Sequence, residues 1–220
     1  YAAGRYIEEG IKNTFIGSHA GLGITGDKLD GDGNTAIGYA AGYALQGAAN
    51  LNTIIGNAAG YSITTGTNNT VIGDLAGDAM TTTTSTVLVG SGAGGAINNT
   101  DANGTVAIGY EALTALTDGQ YNTAIGYRSL KTLTVGSYNT ALGYKALEAN
   151  VDGGSNTAVG YEAIKAFEAN SDGEGFNTAI GMQAGRAMTT GQNNTLLGYR
   201  PGYAITTGIS NVIIGTNAGI

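Results

Sequence analysis

Residues 122–127 read Asn-Thr-Ala-Ile-Gly-Tyr, and the same six letters stand at 34–39. Close copies occupy 139–144, with Leu142 for Ile, and 156–161, with Val159 for Ile. Looser copies fill the chain between them. Twelve in all begin at Asn13, Asn34, Asn52, Asn69, Thr86, Thr105, Asn122, Asn139, Asn156, Asn177, Asn194 and Asn211. Seven of the eleven spacings are 17 residues and the rest are 21, 18, 19 and 21. The chain is therefore one 17-residue unit written many times, with small insertions, and the unit has to be explained before any single residue.

Numbered from its Asn, the unit has Gly at position 5 in every copy and Ile, Leu or Val at position 4. Position 2 is Thr, or Val at Val87, Val106 and Val212. Position 8 is Ala except at Ser129 and Pro201. Position 12 is apolar throughout except at Asn150. This pattern predicts an all-β solenoid of about 12 coils. A strand occupies positions 1–4, glycine turns the corner at position 5 without a Cβ penalty, and a second short strand centres on position 12. Stacked coils rise about 4.8 Å each, giving a rod of about 55–60 Å, with the Asn side chains forming an amide ladder. Alternation along the strand puts positions 2 and 4 on one face, and the Thr/Val exchange at position 2 suggests that this face is interior.

Position 3 would then point outward. It holds Phe15, Ala36, Ile54, Val71, Leu88, Ala107, Ala124, Ala141, Ala158, Ala179, Leu196 and Ile213, with no polar residue among them. An apolar stripe on the outside of a rod needs cover, so these twelve are the expected interface of a parallel cyclic homo-oligomer. At position 9 eight copies have Gly, but four central ones have Leu113, Leu130, Leu147 and Ile164. The helix-favouring residues around these four predict a single helical turn there. The Gly/Asp/Asn-rich insertions 26–33, 98–104 and 169–175 read as loops bulging from one edge. The array starts and stops in mid-unit without capping coils, which predicts that residues 1–220 are a segment of a longer fibre protein.

Composition narrows the function classes. Gly makes up 39 of 220 residues, against about 7 % in an average protein. The single Pro and the absence of a three-residue Gly period exclude collagen. Charged residues are 11 % and net charge is −7, with no basic stripe evident along the sequence, so no nucleic-acid partner is expected. Cysteine is absent, which removes disulfides and thiolate metal sites. No apolar run approaches ~18 residues, so no membrane insertion is expected in this segment.

The repeated Asn-Thr-Ala-Ile-Gly-Tyr-x-Ala-Leu/Gly followed by Thr-x-Gly-x-x-Asn-Thr resembles two related groups. One is the head of trimeric autotransporter adhesins of the YadA-like type; the other is the repeat of phage and bacterial tail-fibre-like proteins. The likeness runs the whole length of the chain, although the unit here is longer than that of the adhesin heads. It implies a left-handed parallel β-roll, a homotrimer, and an extracellular place on a cell surface or virion fibre, where such proteins attach to a host.

Chemistry is sparse. His19 is the sole histidine, with no nucleophile elbow to partner it, and reads as an ordinary corner residue. Asp27, Asp30 and Asp32 hint at a calcium loop but lack the full ligand order, and read as a solvated turn; Asp172 and Glu174 repeat the hint more weakly. The hexapeptide acyltransferase helix fails because position 10 holds Asp78, Thr114, Lys131 and Glu148 where that fold needs apolar residues. No catalytic residue, cofactor or metal is expected. The exposed candidates are Tyr39, Tyr110, Tyr127, Tyr144, Tyr161 and Tyr199 at position 6. They could stack on sugar rings or a host protein, or simply pack on the next coil. The expectation is a non-enzymatic adhesive rod that attaches to a host glycan or protein. Alternatives are a receptor- or glycan-degrading tail spike, which would need paired carboxylates, and an ice-binding solenoid, which would need an outward Thr array.

Overall fold

Each Asn-Thr-x-Ile-Gly element forms a three-residue strand, and consecutive strands lie side by side. A computed structural model describes residues 2–169 and 175–219. Among them are β1 (Thr14–Ile16), β2 (Thr35–Ile37), β3 (Thr53–Ile55), β4 (Thr70–Ile72), β5 (Val87–Val89) and β6 (Val106–Ile108). The series continues through β7 (Thr123–Ile125), β8 (Thr140–Leu142), β9 (Thr157–Val159), β10 (Thr178–Ile180), β11 (Thr195–Leu197) and β12 (Val212–Ile214). All are parallel, in one sheet, in chain order. Register is unit on unit: Thr123 pairs with Thr140, Ala124 with Ala141, Ile125 with Leu142. The chain is a β-solenoid of about twelve coils with a repeat of about 17 residues.

The glycine at position 5 is required on two counts. Its φ lies between 126° and 139° in all twelve coils, a region few side chains adopt. A Cβ there would also run into the backbone of the corresponding glycine one coil on, as at Gly126 against Gly143. Three further residues per coil are left-handed: positions 7 and 9 and the residue before the next Asn, as in Arg128, Leu130 and Tyr138. Each non-glycine so placed costs about 1–2 kcal/mol. Hydrogen bonds to the neighbouring coils hold them: Arg128 N–H donates to Tyr110 O at 2.9 Å, Leu130 N–H to Ala146 O at 3.1 Å, and Tyr138 N–H to Gln120 O at 3.0 Å.

The buried Asn ladder is present. Asn139 Nδ2 donates to Asn122 Oδ1 at 3.2 Å and to Gly153 O at 2.9 Å, while Asn139 N–H also donates to Asn122 Oδ1. The same pattern links Asn156, Asn177, Asn194 and Asn211. An N-terminal run links Asn13, Asn34, Asn52 and Asn69 and ends where Thr86 Oγ1 donates to Asn69 Oδ1. Thr105 interrupts the two runs, and its buried Oγ1 has no hydrogen-bond partner.

Three expectations need correction. First, the faces of the strand are reversed. Ala36, Ile54, Val71, Leu88, Ala107, Ala124, Ala141, Ala158, Ala179 and Leu196 are buried inside the single coil stack, and Phe15 and Ile213 pack against that core at its ends. The ten buried residues therefore cannot form an interface between chains. Side chains on a strand alternate with period two, so the buried Asn at position 1 carries position 3 inside with it. Positions 2 and 4 face outward; none of them is buried in any coil. Second, no helical turn forms at Leu113, Leu130, Leu147 or Ile164. Each sits in a left-handed turn, with φ of 51°, 49°, 52° and 43°, and each side chain is fully buried. Third, no strand forms at position 12 among the described residues. Position 13 does make bonds between coils, such as Thr134 N–H to Val151 O at 2.7 Å, while position 12 serves as a core residue, with Leu116, Leu133, Phe167 and Met188 all buried.

The insertions are partly built into the stack. Leu29 is buried and bridges Ile7 and Gly47. The insertion near 98–104 winds into a 3-10 turn, Thr100–Ala102, capped by the Asn99 side chain and burying Ala102. Residues 170–174 of the last insertion, with Asp172 and Glu174, lie outside the described residues.

Candidate functional site

Two surfaces stand out on the rod: the outer face of the sheet and the corner that follows it. On the sheet, Thr or Val at position 2 and Ile, Leu or Val at position 4 repeat across β1–β12. Exposure of the position-4 side chain reaches 44 % at Leu142 and 63 % at Ile214. Nine of the twelve position-2 residues are Thr, so the face is a grid of hydroxyl and methyl rows running along the rod.

The corner carries the tyrosines. Tyr110, Tyr127, Tyr144 and Tyr161 form a continuous stack, with ring centroids 5.4, 5.3 and 5.1 Å apart and planes within 14° of parallel. Tyr127 and Tyr144 have a stacked ring on both sides, and Tyr110 and Tyr161 on one. Tyr39 lies apart, edge-on to His19 at 6.0 Å, and Tyr199 follows Met182 rather than a tyrosine in its column. Two further stacks were not anticipated: Tyr43 on Tyr61, and Tyr121 on Tyr138.

Beside the tyrosine stack runs a charge network that reading along the chain did not reveal. Glu111 Oε2 accepts from Arg128 Nε and pairs with Lys131 Nζ, both at 2.8 Å. Glu148 lies 3.2 Å from Lys145 and 3.9 Å from Lys165, and Glu162 lies 3.0 Å from Lys165 and 2.6 Å from Arg186. Arg128 also lies over the Tyr127 ring at 5.1 Å, Lys145 over Tyr144 at 5.6 Å, and Arg200 over Tyr203 at 4.0 Å. The carboxylates are the inner layer. The Glu162 side chain is 8 % exposed, while those of Lys165 and Arg186 are 28 % and 36 % exposed. Burial alone would push the Glu162 carboxyl up, but hydrogen bonds from Arg186, Gln183 and Lys165 outweigh it and hold it at about 2. A hydrogen bond from Lys131 holds Glu111 below its ordinary range, and Glu148 raises Lys145. A signal for the network did exist in the sequence, down the columns: position 7 runs Glu111, Arg128, Lys145, Glu162, and position 10 runs Lys131, Glu148, Lys165, Arg186.

The remaining candidates are undistinguished. His19 Nδ1 is 2.9 Å from the Ser18 hydroxyl in an open groove of about 300 Å3 that also touches Arg5 and Tyr43. Asp32 Oδ1 accepts from Ile11 N–H at 2.7 Å, a bond that ties the loop to the first coil. Among the described residues no three His, Cys, Asp or Glu side chains are grouped to hold a metal ion, and no helix is long and apolar enough to cross a membrane.

Fold and surface together define the class: a repeat protein of the β-solenoid type, built as a single parallel sheet with tightly turned coils. Comparison with known proteins returned no matching family model, no matching curated protein and no matching solved structure.

Proposed function

We propose that this chain is the non-enzymatic rod of an extracellular homo-oligomeric fibre, a trimer, that mediates attachment to a host cell or surface. The observation that carries the assembly is the outer face of the sheet. Twelve strands present Ile, Leu or Val at position 4 beside Thr or Val at position 2, in one continuous stripe along the rod. A contiguous apolar row of this kind on a protein surface marks an interaction site. Two or more rods packed sheet to sheet about a common axis would cover it and would close the assembly. The residues proposed to associate are those of positions 2 and 4, not the position-3 residues, which lie in the core. The extracellular location and the number three rest on the resemblance of the repeat to trimeric adhesin heads and tail-fibre repeats.

Light scattering on the chain tests this directly: the expected mass is three times the monomer, and a stable monomer at micromolar concentration overturns the assembly. Ile125→Asp with Leu142→Asp should dissociate it while circular dichroism stays that of the folded solenoid.

The outward Thr rows favour one second reading. An ice-binding solenoid needs a flat outward array of Thr, and Thr14, Thr35, Thr53, Thr70, Thr123, Thr140, Thr157, Thr178 and Thr195 form such rows. A monomer that arrests ice recrystallisation would replace the fibre reading with this one. A glycan-cleaving spike is less supported, because Glu111, Glu148 and Glu162 are each engaged by cations instead of facing one another across a cleft.

A further inference from the structure

The corner strip concentrates positive charge on an acidic chain. Arg128, Lys131, Lys145, Lys165, Arg186 and Arg200 are six of the nine Lys and Arg residues, yet net charge is −7. Only three carboxylates, Glu111, Glu148 and Glu162, sit among them, with Glu168 at the margin. The same columns in the preceding coils hold Ala40, Ala58 and Leu75 at position 7 and Tyr43, Tyr61 and Asp78 at position 10. The fold therefore does not need cations at these sites. Five of the six are ion-paired and Arg200 lies over Tyr203 instead, yet six cations share three carboxylates, so the strip stays net positive. Glu111 and Glu162 are less exposed than the cations they pair with, whereas Glu148 and Lys145 are nearly equal at 17 % and 19 %. Between Lys165 and Arg186 a shallow groove of about 450 Å3 crosses a floor of Ala149, Ala166 and Ala187, with Glu148 and Glu168 also in its lining. The tyrosine edges flank this row through the adjoining column.

We propose that this corner binds a linear anionic polysaccharide laid along the rod, its carboxylate or sulfate groups meeting the cation row and its hydroxyls meeting the tyrosine edges. The strip carries one or two cations per coil rise of about 4.8 Å over five coils, offset by Glu148 and Glu162 in two of them, and its net positive charge suits a polymer with repeating charge. Single-stranded nucleic acid shares the charge but needs open aromatic faces on which bases stack. Here Tyr110, Tyr127, Tyr144 and Tyr161 stack on one another. The inference supplies a ligand class for the attachment part of the reading above. It uses corner residues, not the outer sheet face on which assembly rests.

The test measures binding of the whole chain to dextran sulfate, to polygalacturonate, to uncharged dextran and to a single-stranded oligonucleotide. Binding to either or both anionic polysaccharides, but not to dextran, is expected, with the stronger of the two naming the acid group. Affinity should fall steeply as salt is raised. Neutralising Lys131, Lys165 and Arg200 to Gln should weaken binding by about tenfold or more, since each removes a charged contact. Neutralising Arg5, Lys12 and Lys28 to Gln, an equal change in net charge, should leave it within about twofold if those contacts are absent. Equal loss in both triple variants, tighter binding to the oligonucleotide, or no binding to either anionic polymer overturns the proposal. Melting curves confirm that both variants are folded, and light scattering on each shows whether assembly has changed. Loss of binding with assembly intact is thereby separated from failure of the fibre reading.

Discussion

Coils 52–104 and coils 105–169 have the same backbone but fill it in opposite ways. In the first block the bulk enters from the strand: position 3 is Ile54, Val71 and Leu88 where position 9 is Gly60, Gly77 and Gly94, with Ile54 against Gly60 and Leu88 against both Gly77 and Gly94. In the second it enters from the corner: Ala107, Ala124, Ala141 and Ala158 face Leu113, Leu130, Leu147 and Ile164. Built onto Gly60, a Cβ would lie 2.7 Å from Ile63 Cδ1 and 3.3 Å from Ile54 Cγ2. Space selects the glycine more than φ does, because Leu130 adopts nearly the same φ where its neighbour is Ala. Two coils have Ala at position 3 and Gly at position 9. There the next coil reaches over: Ile54 Cδ1 toward Gly42 and Leu196 Cδ1 toward Gly185. What is conserved along the rod is the filled volume, not the residue that fills it, as expected of an interior packed to crystal density.

The strongest way to break this comparison is to move the bulk in one coil. Leu130→Gly should cost about 2–5 kcal/mol by leaving a cavity, and Ala124→Leu about 1–3 kcal/mol by overpacking. The double variant, which rewrites the coil in the style of the first block, should recover at least half of their sum in urea melts. Strict additivity would show that the two positions do not share one volume.

The ladder comes next. Asn139→Ala removes the acceptor used by Asn156 N–H and Nδ2 and the donor to Gly153 O. Buried groups left unsatisfied should make it about 2–4 kcal/mol less stable. Asn139→Thr, which copies Thr86 and Thr105, should lose less.

A gain is expected at the boundary between the blocks. Thr105→Asn would place an amide next to Gly119 O and Asn122 N–H, joining the two runs, and should raise stability by about 1 kcal/mol. An unchanged melting point would mean that the break at Thr105 is not a weak place in the rod.

The smallest effect concerns the charged corner, which the second block has and the first lacks. The Glu162 carboxyl is held at about 2, below its ordinary 4.5. A depressed carboxyl contributes stability above its unfolded value and loses it as pH falls toward the folded one. Melting temperature should therefore drop more steeply from pH 5 to pH 2 in the native chain than in Glu162→Gln.

The corner network escaped a reading along the chain because its partners are 17 or more residues apart. Arg128 and Glu111 are neighbours only when the unit is folded on its own period. The tyrosine row was visible at its spacing, but the use of its faces depended on the distance between coils. The four central Leu and Ile were visible as a variant. Local propensity suggested a helical turn, and the competing demand to fill the space above Ala at position 3 put them in left-handed turns instead.

Period, parallel register, the glycine corner and the Asn ladder all follow from the sequence alone, because twelve repeats of one spacing leave a stacked solenoid as the arrangement that pairs like with like. Which strand face is inside was settled only by the closed coil. Both faces of Thr-x-Ile are apolar enough to be buried, so composition cannot choose between them. The coil chooses, because a buried amide at position 1 must find its partners in the stack, and period-two alternation then sends position 3 inward and leaves Thr and Ile facing out.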